Sequence, residues 1–196
     1  MKTLKILAVA ATALVSASVA KAQDLTNDYT RVYAGYDHQW YEVGTTALNG
    51  FIMGGEYNLN VTNHQMPLFL GAGMEYKYGA VTEGDESYKQ HTLSIPVNVS
   101  YKFGNENIAI SPFIGQAFRF GLSYKYNYGS TEIDLYDKDA DINRFQLILN
   151  LGVNIHLYQF TLGYRYQLSE TKQDKKTEGF TPFNDYCNSF TVGYCF

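Results

Sequence analysis

The chain is 196 residues long, with 15 basic and 19 acidic residues, 18 tyrosines and 12 phenylalanines. That length allows one domain of ordinary size, and the acid excess offers no electrostatic footprint for nucleic acid. Mean hydropathy is slightly negative in spite of the many rings, which fits polar and apolar residues that alternate rather than gather into blocks.

The chain opens with Lys2 and Lys5, an apolar run from Ile6 to Leu14, and the small-x-small sequence Ala20-Lys21-Ala22. These are the three parts of a secretory signal peptide, expected over residues 1–22. The run is too short to cross a bilayer as a helix, which takes about 20 residues. Three of the basic residues and none of the acidic ones lie in this leader, so from Gln23 onward 12 basic residues face 19 acidic ones, a net charge of −7. A short periplasmic segment is expected over 23–29 and a barrel over 30–196.

Eight segments then alternate with the period of a strand, in which successive side chains point to opposite faces. Val32, Ala34, Tyr36 and Trp40 oppose Arg31, Tyr33, Asp37 and Gln39, with His38 breaking the apolar side. Phe51 to Leu59 alternate against Ile52 to Asn58, and Leu68 to Tyr78 against Phe69 to Lys77. The fourth segment is the cleanest, with Leu93, Ile95, Val97, Val99, Tyr101 and Phe103 facing Ser94, Pro96, Asn98, Ser100 and Lys102. The fifth sets Ile108, Ile110, Ile114, Phe118 and Phe120 against Ala109, Ser111, Ala117 and Arg119, with Gln116 on the apolar side. Phe145 to Ile155 and Phe160 to Leu168 supply the sixth and seventh. In the last, Phe190, Val192, Tyr194 and Phe196 alternate with Ser189, Thr191, Gly193 and Cys195. The connections alternate between short ones (60–65, 104–106, 157–158) and mostly longer ones (42–47, 79–86, 123–143, 169–188), as in barrels that cross a membrane with their turns on the periplasmic side.

A soluble barrel of eight strands turns its apolar face inward. Here the polar face is rich in glycine and small residues, as a crowded interior demands, and the bulky face is continuous. Its aromatics also collect at two heights. Trp40, Tyr76, Tyr78, Tyr164 and Tyr166 fall at the loop end, and Tyr57, Tyr101, Phe103, Tyr194 and Phe196 at the turn end, which matches the two interfaces of a bilayer. The expected fold is all-β, an eight-stranded antiparallel transmembrane up-and-down β-barrel.

The pattern at Phe190, Val192, Tyr194 and Phe196 resembles the C-terminal insertion signal of bacterial outer-membrane barrels. With the Leu93-Ser94-Ile95-Pro96-Val97 strand and the Ser111-Pro112-Phe113-Ile114-Gly115 run, the whole mature chain resembles the small single-domain outer-membrane β-barrels of the OmpA-like or porin superfamily, and within it the PorT-type barrels of Bacteroidota. The resemblance implies an outer-membrane location, contact with outer-membrane lipids and use of the barrel-assembly machinery. It specifies no activity, because one fold hosts many functions. Unlike two-domain relatives with a peptidoglycan-binding module, this chain is expected to end on its barrel.

Few residues point to chemistry. His91 and Ser94, three apart on a strand, face opposite ways, as do the neighbours Asp37 and His38, so neither pair makes a hydrolytic constellation. The run Asp137-Lys138-Asp139-Ala140-Asp141-Ile142-Asn143 spaces oxygens like the start of a calcium loop, but Ile142 and Ile148 stand where such a loop uses Gly and Glu. No metal or cofactor is expected, and no catalytic residue. Cys187 and Cys195, eight apart on one strand, would lie about 26 Å from each other at about 3.3 Å per residue, beyond the reach of a disulfide.

The inward face carries Asp37, Glu56, Glu75, Lys102, Arg119 and Arg165, together with Arg31 and Lys77. An eight-stranded interior is about filled by side chains, so these charges are expected to pair, with Asp37, Glu75, Arg119 and Arg165 barring the outer half of the lumen. The function expected is structural, surface-interaction or assembly-related, with external partners reached through the 123–143 and 169–188 loops. The alternatives are a narrow porin-like channel and a barrel enzyme acting on lipid A or peptides.

Overall fold

The computed structural model describes residues 25–41, 47–136, 142–171 and 185–196. The leader and the candidate calcium loop at 137–141 lie outside the described residues, as does most of the 169–188 connection. The described strands are β1 (Tyr29–Tyr41), β2 (Ala47–Asn60), β3 (Leu68–Glu83), β4 (Glu86–Tyr101), β5 (Phe103–Gly104), β6 (Ile108–Tyr128), β7 (Thr131–Asp134), β8 (Phe145–Leu157), β9 (Phe160–Ser169) and β10 (Asp185–Cys195). Around the wall the order is β4-β3-β2-β1-β10-β9-β8-β6, and pairing of β6 with β4 closes the ring. All these pairings are antiparallel. The result is a closed eight-stranded barrel, in which no wall strand keeps an unpaired edge along the ring. β5 continues β4 beyond a break at Lys102, and β7 folds back on the far end of β6.

The alternation of the sequence becomes the two faces of the wall. Residues such as Met53, Met74, Ile95, Ile114, Leu162 and Val192 are exposed on the outside, whereas Arg31, Glu75, Arg119, Asn150 and Gln167 are buried inside. A monomer that exposes this much contiguous apolar surface is solvated by something other than water, and a closed sheet satisfies its backbone internally in lipid. Tyr194 departs from its strand. It is only 4% exposed because the rings of Phe160 and Phe196 pack edge-on against it, and its hydroxyl donates to Gln159.

The two ends of the barrel differ. At one end the connections are short turns, and Asn63, His64 and Tyr158 adopt left-handed backbone conformations in them. At the other end the strands run longer than the sequence suggested. The expected 79–86 loop is mostly strand, because β3 reaches Glu83 and meets β4 across a turn at Gly84-Asp85. Likewise, β6 extends over 21 residues and returns through β7, so much of the expected 123–143 loop is a hairpin. Both turns contain a glycine at positive φ, Gly84 and Gly129, and the Gly129 N–H donates to the Asp85 carbonyl, tying the two tips together. The strands continue past the point where the outward face stops being aliphatic. β4 has 16 residues, roughly 53 Å at about 3.3 Å per residue. Tilted about 40°, such a strand stands about 40 Å tall against an apolar band of about 25 Å. The surplus rises above the bilayer, where nothing requires an apolar exterior.

Candidate functional site

Charged side chains converge in the lumen, which is built in layers. At the turn end, Tyr29 and Phe69 meet edge to face, and the Lys102 ammonium lies 3.5 Å from the centre of the Tyr29 ring and 4.8 Å from that of Phe69. His156 closes this floor beside Tyr29. The next layer is organised by Arg31, whose guanidinium donates to Thr161 and Thr191 at 3.0 Å each and pairs with Glu56 at 3.5 Å. Gly163 makes room for it, since a Cβ there would stand 2.9 Å from Arg31 Nη2. Above it, Glu75 pairs with Arg165 and accepts a bond from the Tyr33 hydroxyl at 2.9 Å.

Asp37 holds the following layer. Its Oδ1 accepts from Lys77 Nζ at 2.8 Å, from Ser189 at 2.6 Å and from the Cys187 thiol at 3.0 Å, and Lys77 also donates to Gln167. The last charged layer joins Arg119 to Asp185 at 2.5 Å, with Gln39 donating to the same carboxylate at 2.9 Å. Over it lies an apolar cap of Leu48, Tyr124 and Tyr136. Tyr136 lies across the mouth because position 121 is glycine: a Cβ there would fall 2.2 Å from its ring. Gln90 donates to the Tyr136 hydroxyl at 3.1 Å, and Arg144 donates to its carbonyl at 2.7 Å. Burial pushes the Tyr136 phenol up to about 12. Small gaps of about 10 Å³ remain in the lower half, one between Lys102, Ala109 and His156 and another between Tyr29, Glu56, Asn98 and Phe113. Such a gap holds about one water.

A closed barrel with an apolar belt and a charged, side-chain-filled interior is the architecture of one class of membrane protein. The sequence matches the outer membrane protein beta-barrel domain over residues 7–196. The chain belongs to that family. Its location is therefore the outer membrane. Among solved structures it is similar to Ail, the attachment invasion locus protein of Yersinia pestis, with 13% identity, a TM-score of 0.53 and coverage of 87% of this chain and 99% of Ail. Neisserial surface protein A is 12% identical over 85% of this chain and 96% of its own, with a TM-score of 0.50. The outer membrane enzyme PagL is 15% identical over 84% and 97%, with a TM-score of 0.52. At these identities the likeness is one of fold. No curated protein matches the chain.

In this family member the six inward charges expected from the sequence are spread over five layers, with Glu75 and Arg165 sharing one. Glu56 lies with Arg31, Glu75 with Arg165 and Asp37 with Lys77. Arg119 joins neither Asp37 nor Glu75 in an ion pair; its carboxylate is Asp185, which falls within the expected 169–188 loop. Lys102 lies on the floor against the Tyr29 and Phe69 rings. The parity of β10 held the missing signal, because Asp185 and Cys187 continue the inward positions of Ser189 and Thr191. The cap was harder to see, since a register irregularity opposite His91 and Thr92 shifts the alternation of β6 between Gly121 and Ser123. His91 and Ser94 are separated by the wall: the imidazole meets the Tyr76 hydroxyl on the outer surface, while Ser94 is buried inside. Cys187 and Cys195 are both free thiols.

Proposed function

We propose that the protein is a closed outer-membrane barrel that acts through the surface it presents above the membrane, neither conducting solutes nor catalysing a reaction. The observation that carries this reading is the lumen itself. Four ion pairs among the described residues stand one above another from Arg31–Glu56 to Arg119–Asp185, under the Leu48, Tyr124 and Tyr136 cap. A permeating ion would have to break buried charge pairs, each of which is costly to open. With the short turns in the periplasm, the cap faces the cell exterior, and so does the sheet that β3, β4, β6 and β7 raise above the bilayer. The outward pattern of Phe190, Val192, Tyr194 and Phe196 fits recognition by the barrel-assembly machinery. The Leu93–Val97 and Ser111–Gly115 runs favour the PorT-type subgroup.

Planar-bilayer recording of the purified protein tests the closed reading. It should give little or no steady conductance, and a large stable conductance would replace this reading with a narrow channel.

A further inference from the structure

The part of the barrel above the membrane has an unusual division of its two faces. Cross-strand register aligns Val81, Tyr88, Tyr126 and Ile133 in one row across β3, β4, β6 and β7, and Glu83, Glu86, Tyr128 and Thr131 in the next row outward. Both rows share the face that carries the cap, since Val81 and Tyr88 pack against the cluster of Leu48, Tyr124 and Tyr136. The opposite face has Thr82, Ser87, Asn127 and Glu132 in register and is an ordinary polar exterior. The capped face is different. The Tyr88 and Tyr126 rings lie 4.8 Å apart, while Tyr128 is 58% and Ile133 47% exposed, so its upper part is an apolar, aromatic surface that the described residues leave uncovered.

The charges along this surface are one-sided. Glu83 and Glu86 are direct cross-strand partners on the same face, and like charges so placed repel. Asp85 lies in the turn between them. No cation on this face pairs with Glu83 or Glu86 among the described ion pairs, since Lys125 reaches Glu132 on the other side. A cation seated between the two carboxylates would relieve their repulsion, and the neighbouring tyrosine faces attract guanidinium and ammonium groups. A metal ion is a poor candidate, because the described residues contain no group of three ligands that could hold one. A sulfated or phosphorylated ligand would meet the wrong charge.

We propose that this face docks a basic, extended segment of an external protein, its arginine or lysine heads between Glu83 and Glu86 and over Tyr128, its apolar side chains on Tyr126 and Ile133. Side chains two apart on an extended chain are spaced about 6.6 Å, which matches the separation of the two rows. The proposal rests on the reading of the barrel as a surface-acting protein.

The probe is a fluorescent peptide of about eight residues that repeats Arg-Ser-Val-Ser, so that arginine and valine alternate on one face of the extended chain, titrated against the full-length protein folded in lipid nanodiscs. Saturable binding is expected, weakening as salt screens the charges, and falling about tenfold or more in the double variant E83Q/E86Q and in Tyr128→Ala. Glu132→Gln removes the same kind of charge from the opposite face and should leave binding within about twofold. A glutamate-valine peptide and sucrose octasulfate should not bind. Absence of saturable binding, equal loss in E132Q and E83Q/E86Q, or preference for sucrose octasulfate would each overturn the proposal. Bilayer recording of the same preparation separates the two claims: a silent barrel that ignores the peptide removes the docking face alone, and a conducting barrel removes the reading beneath it.

Discussion

Arg119 on β6 and Asp185 on β10 meet across the lumen at 2.5 Å, with side chains only 2% and 1% exposed, although 66 residues separate them in the chain. Neither group has access to water, so each depends on the other. Removing one partner of a buried pair strands the other charge and costs about 3 to 5 kcal/mol. Asp185→Ala and Arg119→Ala should each lower the stability of the folded barrel by about that amount in denaturant titrations in detergent. The double variant should lose much less than the sum, because no charge is left alone. Strictly additive losses would mean that the pair does not act as a unit.

The barrel was legible in the sequence because lipid imposes a strict rule on every second residue. From Leu93 to Phe103 the outward side chains are all bulky and the inward ones mostly small or polar, which no soluble sandwich of this size requires. Legibility ended where the lipid ended. Tyr124, Tyr126, Tyr128 and Ile133 alternate as regularly as the wall residues, but their apolar face turns inward over the mouth, so the same pattern read as loop. Asp185 escapes the rule for a related reason: the polar Asn188 stands between Tyr186 and Phe190 on the outward side of β10 and interrupts the apolar alternation. Pairing partners across the lumen were beyond reach, since they depend on the stagger of strands far apart in sequence.

Asp28, just before β1, gives the turn end a dependence on pH. Its carboxylate accepts the Asn60 backbone N–H at 2.7 Å and the Tyr57 hydroxyl at 3.0 Å, and the backbone bond is the main reason that its pKa lies below the usual 3.8. A carboxyl whose folded pKa is depressed contributes stability above its unfolded pKa and loses it as pH falls through the folded value. Wild type should therefore unfold at a higher temperature than Asp28→Ala near pH 7, with the gap shrinking below about pH 4. A gap that stays constant down to about pH 2 would show that the carboxylate charge is not what matters.

The orientation of the barrel can be read with thiols. Cys187 and Cys195 are buried, so the native protein should not react with a membrane-impermeant maleimide on intact cells. Ser130→Cys, at the exposed tip between β6 and β7, should react, and Glu106→Cys, in the turn before β6, should not. Labelling at position 106 alone would place the short turns outside and the cap inside.

Phe196 tests the insertion signal. Its ring is exposed and packs edge-on against Tyr194, and its backbone N–H donates to the Thr30 carbonyl at 2.9 Å, so its side chain can be changed without loss of that strand-closing bond. Phe196→Ala should be exported normally and inserted poorly, accumulating as a protease-sensitive species. Normal heat-modifiable barrel in outer-membrane fractions would remove the assignment.

The cap makes the sharpest claim about a single atom. Gly121 has no side chain, and a Cβ at that position would lie 2.2 to 2.4 Å from two ring carbons and the hydroxyl oxygen of Tyr136, well inside van der Waals contact. Gly121→Ala must therefore expel the ring or shift β6, at an overpacking cost of about 1 to 3 kcal/mol. Expelling the ring also breaks the bond from Gln90 and uncovers Leu48. If the clash is the whole of the effect, it has to vanish when the ring is absent. In a Tyr136→Ala background, itself less stable than wild type because the ring leaves a cavity, adding Gly121→Ala should change the unfolding free energy by no more than about 0.5 kcal/mol. A penalty of the same size in both backgrounds would mean that glycine is needed there for the backbone of β6, and that Tyr136 does not close the mouth.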